Sequence, residues 1–535
     1  MSADNVFLNG QVITADSSDH IAEAVAIRGN RIIRVGSNAE VEDLICDSTE
    51  VFDLSGKSLL PGFIDSHMHI SLYGVSKLGI NCKEPQIESI PDLVTAIKER
   101  AKQTPEGEWV RAWGFNNTKI ADQRYPTSRE LDEASTRHPI LVVRTDGHIS
   151  IANSKALELA GIDESTPDPE GGRIERDQSG VPTGVLIEAA HMEIMEVAKY
   201  GEEELQGGLA AASDDLISSG ITSLHDAGGF GAYNLRAMQK GVQSGDIKIR
   251  IYALICALTG AQKLVEQVLD SGVTSGLGNE RYKIGSVKLF TDGSSSGPTI
   301  ATREPYTSDP DNYGILYYGQ NQLNNILGKA HERGFQITAH AQGDRAIEMV
   351  IDCIEAALDK YPRQDHRHRI EHAGLTMPDL LERMKELNII PIPNPAFFYE
   401  FGDGYLENYG DRVNHMFPAR DFVDAGIPAA AGSDSPVTDY NPLLGIHAAV
   451  NRRSQSGNLV GGNQRVSVLE AIRLFTWNGA YASFDEDIKG SIEVGKLADL
   501  VVLSDRILAV PEEKIRGIEV EMTLIDGEVA FKKAW

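Results

Sequence analysis

Three features predict the fold class. Apolar runs of strand length alternate with amphipathic stretches from about residue 62 to 480, hairpin-like segments lie at both ends, and polar residues repeatedly occupy the ends of the central runs. Together they predict an α/β chain: a (βα)8 TIM-like barrel with a small β-sandwich domain formed by both termini and an insertion after the first barrel strand. The pattern changes set the expected boundaries. Residues 1–60 and 481–535 form the two parts of the sandwich, 61–480 the barrel, and about 75–215 the insertion.

The N-terminal part alternates short β-prone runs (6–8, 12–13, 24–27, 32–35 and 51–54) with the turn pairs Asn9-Gly10 and Gly29-Asn30, which are hairpin signals. Residues 490–503 and 519–531 have the same texture. Eight apolar runs follow the parallel-barrel pattern, at 60–65, 221–225, 249–255, 284–290, 335–340, 369–372, 389–392 and 428–434. The gap between the first two is too long for one helix. It carries Trp113-Gly-Phe, Arg144-Thr-Asp-Gly-His148 and Pro182-Thr-Gly-Val-Leu-Ile-Glu188 between Gly and Pro breaks, which suits a subdomain over the barrel mouth.

Composition excludes several classes. The 78 acidic against 50 basic side chains give a formal charge of -28, which disfavours a nucleic-acid groove or an anionic membrane surface. No apolar run is long enough for a membrane span, and the start of the chain lacks a basic region followed by an apolar core. The four cysteines, Cys46, Cys82, Cys256 and Cys353, are far apart and form no Cys-x-x-Cys pair, so a reducing cytoplasm is expected. The sequon at Asn116 is accidental on that reading. The glycine-rich stretch 226–231 lacks the dinucleotide-binding spacing and reads as a barrel loop.

The chemistry is read from the strand ends. His67 and His69, two apart at the end of the first run, point to the same side and form half a metal site. Later runs end on His225, Lys288, His340, His372 and Asp434, and in such a barrel catalytic groups collect at the C-terminal strand ends. Singly, each has an ordinary reading: a buried hydrogen-bonded histidine, a helix-capping aspartate, or a lysine paired with Asp292 or another acid in the mouth. Jointly they point to a metal centre. For Lys288 the sharper alternative is a carbamate bridging two ions.

At this point the chain resembles the amidohydrolase superfamily, within it the YtcJ-like group that includes the N-substituted formamide deformylases. The resemblance rests on Leu-Pro-Gly-Phe-Ile-Asp-Ser-His-Met-His (60–69), Arg-Thr-Asp-Gly-His (144–148), Val-Lys-Leu-Phe-Thr-Asp-Gly-Ser (287–294), Ala-His-Ala-Gln-Gly-Asp (339–344), Ile-Glu-His-Ala (370–373), Gly-Ser-Asp-Ser-Pro (432–436) and the Gly-Ser-Ile-Glu-Val-Gly-Lys stretch from 490. It implies a barrel with a two-termini sandwich, one or two divalent metals and hydrolysis of a C–N bond. Carried over residue by residue, His67, His69 and Asp434 hold one metal, His340 and His372 the second, and carbamylated Lys288 bridges them. The ion is usually zinc, although manganese, iron or cobalt suit the same ligands.

On this reading the metal lowers the pKa of water from about 15.7 towards 7, and Asp434 relays the proton to the departing nitrogen. His148 and His225 are expected to orient substrate or stabilise the oxyanion. Trp113, Asp292, Phe397 and Phe398 are expected to contact it. The expected protein is a cytoplasmic homodimer acting on a small-molecule amide, such as an N-formyl or N-acyl amine, with no nucleic-acid or membrane partner. The rivals are a lactonase or phosphotriesterase on the same metals and a non-catalytic regulator on the same fold.

Overall fold

The computed structural model describes residues 2–83, 87–258 and 260–533. Its centre is a sheet of seven parallel strands: β1 (Phe63–Met68), β2 (Ile221–Asp226), β3 (Arg250–Ile255), β4 (Tyr282–Phe290), β5 (Ile337–Ala341), β6 (Arg369–His372) and β7 (Ile390–Ile392). Neighbours in sequence are neighbours in the sheet, from β1 to β7. This order follows from the helical crossovers between consecutive parallel strands. The helix Asp344–Lys360 illustrates why they pack: Ile347, Val350, Ile351 and Ile354 recur at helical spacing and are buried in the core that surrounds the sheet.

The sheet curls into a nearly closed barrel. The run at 428–434, expected as the eighth strand, is not a regular strand, which corrects that expectation. Its backbone nonetheless bridges the gap: Ala430 N–H donates to Pro391 O at 3.1 Å and Gly432 N–H to Pro393 O at 3.1 Å, while Ser66 N–H donates to Ala431 O at 3.0 Å and Asp434 N–H to His67 O at 2.7 Å. A regular ladder is lost because the segment is pressed too close to β1 and ends on Asp434 at φ 58°. A Cβ at Gly432 would lie 2.5 Å from His67 N, so only glycine fits there.

The first barrel strand also begins later than expected. Ser58–Pro61 belongs to a different sheet, and Gly62 separates it from β1. In that sheet Leu500–Leu503 runs antiparallel to Ser58–Pro61, with Val501 opposite Leu60, so the two ends of the chain meet by direct pairing. The terminal segments form a four-stranded and a six-stranded sheet, and Phe7, Val25, Leu59, Leu500, Val502 and Met522 from the two sheets share one core. Gly29-Asn30 does turn a hairpin between Ala24–Arg28 and Arg31–Gly36. Asn9-Gly10 does not: Asn5–Leu8 and Gln11–Ile13 lie in different sheets, and the turn, with Asn9 at φ 57°, carries the chain from one to the other.

Residues 80–188 form a further six-stranded sheet of their own. It starts at Ile80–Asn81 beside Val110–Phe115 and ends at the hairpin of Gly172–Arg176 with Pro182–Glu188, with separate apolar clusters supporting it. Among the described residues no helix is long and apolar enough to cross a membrane.

Candidate metal centre and reaction cavity

The parallel register places the site. Lys288 on β4 lies level with Thr338, and His340 on β5 is level with both Phe290 and Glu371. Side chains from successive strands therefore reach the same end of the barrel. His372 and Asp434 break the strand geometry there, with φ of 70° and 58°. Non-glycine residues held in the left-handed region commonly mark functional sites.

One ligand atom each from His67, His372 and Asp434 lies within 4.8 Å of the others. Asp434 Oδ1 is 3.4 Å from Nε2 of both His67 and His69. The opposite ring nitrogens are already committed: His67 Nδ1 donates to Glu371 Oε2 at 2.5 Å, His69 Nδ1 to Gly228 O at 2.6 Å, and His372 Nδ1 to Asn394 Oδ1 at 2.6 Å. This leaves Nε2 as the nitrogen that can face a metal, and at His67 it accepts from Lys288 Nζ at 3.3 Å. His340 is turned the other way: Nε2 donates to Gly293 O at 2.8 Å, leaving Nδ1, and its ring lies 4.5 Å from that of His372. This donor set of imidazole nitrogens and a carboxylate fits a divalent ion of the zinc type.

Electrostatics reinforce the arrangement. Burial by itself would raise the Asp434 carboxyl, but its contacts with His67 and His69 hold it well below the usual range. Burial likewise opposes ionisation of Glu371, yet Arg369 and His67 hold it well below its ordinary value. Burial, reinforced by Lys288, lowers His67, and burial with neighbouring His340 lowers His372 well below 6.5. Both shifts favour the neutral ring that serves as a ligand. Lys288 is fully buried and donates to His67 Nε2 at 3.3 Å. Among the described residues it forms no ion pair.

A cavity of about 480 Å³ stands over this floor. His69, His340, His372 and Asp434 line its base, with Phe397 and Phe290 beside them. The insertion supplies the opposite wall: Trp113, Asp146, His148, Glu188 and His191. Pairing of Ile149 with Ile187 brings the turn at His148 beside Glu188, forty residues later. His148 Nδ1 donates to Glu188 Oε2 at 2.9 Å. Burial disfavours the charged imidazole, but Glu188, then Asp146 and Asp434, outweigh it and push His148 up to about 9. His191 is driven the opposite way, to about 4, by burial and the nearby His148. Two polar atoms of the cavity-lining residues, Trp113 Nε1 and Gln342 Oε1, are buried without a hydrogen-bond partner among the described residues.

Three expected residues do not line the cavity. His225 is behind the centre in the barrel interior, where Arg369 Nη1 donates to its Nδ1 at 2.9 Å; the slip in register beside it leaves Asp226 at the strand end. Asp292 is fully buried and is taken up by backbone amides, accepting from Gln342 N at 3.0 Å, Gly343 N at 2.8 Å and Ala301 N at 3.1 Å. It therefore braces the loop after β5 and lies 3.3 Å from His340 Nε2, and among the described residues it forms no ion pair with Lys288. Phe398 packs under the Arg452 guanidinium, 3.3 Å from the ring centroid, whereas its neighbour Phe397 faces the cavity. Adjacent residues of the helix Ala396–Tyr409 point about 100° apart, so the pair cannot share one face.

Several contributors were not singled out from sequence. Asp65 accepts from His67 N at 3.1 Å and Ser433 N at 3.0 Å, tying β1 to the Asp434 loop; burial raises it to about 7. Glu371 sits inside the Ile-Glu-His stretch, and its position beside a ligand histidine was the available signal. Arg369 donates to both Glu371 oxygens, at 2.9 and 3.0 Å. Glu188 and Asn394 carried no sequence signal.

A histidine and aspartate cluster at the end of a parallel barrel, beside a cavity walled by an insertion, is the arrangement expected of a metal-dependent hydrolase. Residues 50–531 match the amidohydrolase family, and the chain belongs to it. It is 30% identical to the N-substituted formamide deformylase of Arthrobacter pascens, over 99% of this chain and 98% of that one. It is also 30% identical to the putative amidohydrolase YtcJ of Bacillus subtilis, over 99% of both. The crystal structure of an uncharacterized metal-dependent hydrolase from Pyrococcus horikoshii superposes with a TM-score of 0.79 at 26% identity, covering 95% of this chain and 99% of that one.

Proposed function

We propose that the protein hydrolyses the C–N bond of a small non-peptide amide, with N-formyl amines as the first substrate class. The observation that carries this reading is the convergence of His67, His69, His372 and Asp434 at the base of the cavity, where all but the buried His67 line it. The full-length likeness to an N-substituted formamide deformylase supports the class of bond.

On this reading His67, His69 and Asp434 would hold one zinc ion and His340 and His372 a second, and such a centre would supply an activated water near neutral pH and polarise the carbonyl oxygen. Asp434, kept ionised, accepts the water proton and delivers it to the departing nitrogen. His148, with Nδ1 committed to Glu188, donates from Nε2 to the carbonyl oxygen as negative charge develops. Phe397 and Trp113 flank the substrate. Lys288 carries a carbamate, which replaces a buried ammonium lacking an acid partner with an anion beside the metal ligands. The terminal sheets, read as a small β-sandwich from their shared core, lie outside the chemistry.

The test is a panel of N-formyl amines, N-acyl amines, lactones and phosphotriesters with zinc-loaded protein, beside Asp434→Asn. Formamide turnover lost by 10²-fold or more in the variant is expected for a general acid–base residue. Turnover confined to lactones or phosphotriesters, or near-normal formamide turnover in metal-replete Asp434→Asn, would contradict the proposal.

A further inference from the structure

A second chamber of about 360 Å³ adjoins the reaction cavity. Its walls come from both parts of the molecule. The helix Ala189–Val197 of the insertion contributes Met192 and Met195, and the barrel contributes Phe230, Tyr233 and Leu258 from the segments after β2 and β3. Tyr200 completes an aromatic corner, its ring 5.7 Å from that of Phe230. His191, Met192, Met195 and Leu258 line both spaces, so the partition between them is a single layer of side chains. Two of those four are methionines, unbranched and easily re-packed, which makes the partition one that a ligand can displace. Towards its outer end the chamber meets the ion pair of Lys199 with Glu196, at 2.6 Å, and Glu202.

We infer that this chamber is a subsite for the apolar substituent on the substrate nitrogen, an alkyl chain or aryl group long enough to pass the Met192–Met195 partition. The inference rests on the formamide reading: a formyl carbon carries only hydrogen, so all the bulk of such a substrate belongs to its amine. The polar floor takes the formamide head. A one-carbon substituent would leave most of the two spaces unfilled, whereas pockets of this size bury ligands of many heavy atoms. Apolar surface gained per methylene then sets the preference.

The test uses N-alkylformamides from methyl to octyl for turnover, and n-alkylamines of the same lengths for binding by calorimetry in the absence of any reaction. In the unmodified protein kcat/KM and amine affinity rise with chain length, by up to roughly fourfold per methylene once the chain enters the chamber. Met195→Trp closes the partition and Tyr233→Trp fills the chamber from the barrel side; each flattens both slopes. Melting curves identify a variant that has lost its fold, and the other variant then decides. Slopes that persist in a folded, filled variant, or a wild type indifferent to chain length, overturn the subsite. If no formamide is hydrolysed but the amine slope exists and is lost on filling, the subsite stands and the hydrolase assignment falls.

Discussion

Glu188→Gln removes one charge from the cavity wall and leaves the shape of the side chain unchanged. In the native protein His148 and Glu188 are 18% and 19% exposed, so the pair is only partly screened by water. Burial pulls the His148 pKa down, and Glu188 with Asp146 and Asp434 pulls it up further, from 6.5 to about 9. At 1.36 kcal/mol per unit, the net rise corresponds to about 3 kcal/mol favouring the protonated form. Because the folded value is raised, this stabilisation is fully present below the unfolded pKa near 6.5 and is lost as pH climbs through about 9. In the glutamine variant the opposing burial remains while the main compensating charge is gone. The His148 midpoint is therefore expected to fall by more than about one unit, with a loss of on the order of 1–3 kcal/mol in stability at pH 6. Histidine-selective NMR titration, assigned with His148→Asn, reads the midpoint; denaturant melts at pH 6 and 10 read the stability difference. A wild-type midpoint near 6.5, or one unmoved by Glu188→Gln, would refute the reasoning.

Further outcomes are expected elsewhere. Glu371→Gln keeps an acceptor for His67 but removes the charge that orients and enriches it, so zinc affinity should fall by roughly 10- to 100-fold, measured by competition with a chromophoric chelator. Incubation with ¹³C-bicarbonate should give a carbamate resonance that disappears in Lys288→Ala; a spectrum identical in both proteins would remove the bridging role. Phe63→Ala, at a fully buried position at the start of β1, should cost about 3–5 kcal/mol in denaturant unfolding, against well under about 1 kcal/mol for a change at exposed Val494.

How much of the site was legible follows from how local each signal is. His67 and His69 announce themselves because strand alternation is a property of adjacent residues, and Lys288, His340 and His372 because a polar residue closing an apolar run stands out on its own. His225 satisfied the same rule yet pairs with Arg369 away from the cavity lining: whether a strand-end side chain faces the cavity, a neighbouring loop or the barrel interior depends on register slips and on what lies opposite. Phe397 and Phe398 are indistinguishable by composition and are separated only by the rotation of their helix.

By itself the sequence determined the alternation that builds the barrel, the polar strand ends and the β-rich character of both termini, since each depends on residues close in the chain. Tertiary structure alone decided what depends on distant segments. It joined Leu500–Leu503 to Ser58–Pro61, bridged the barrel through the irregular segment before Asp434, and set Glu188 beside His148. The physical reason is common to all three. Closing a gap, matching strand edges and perturbing a buried charge depend on distances through space, and local propensity does not encode them.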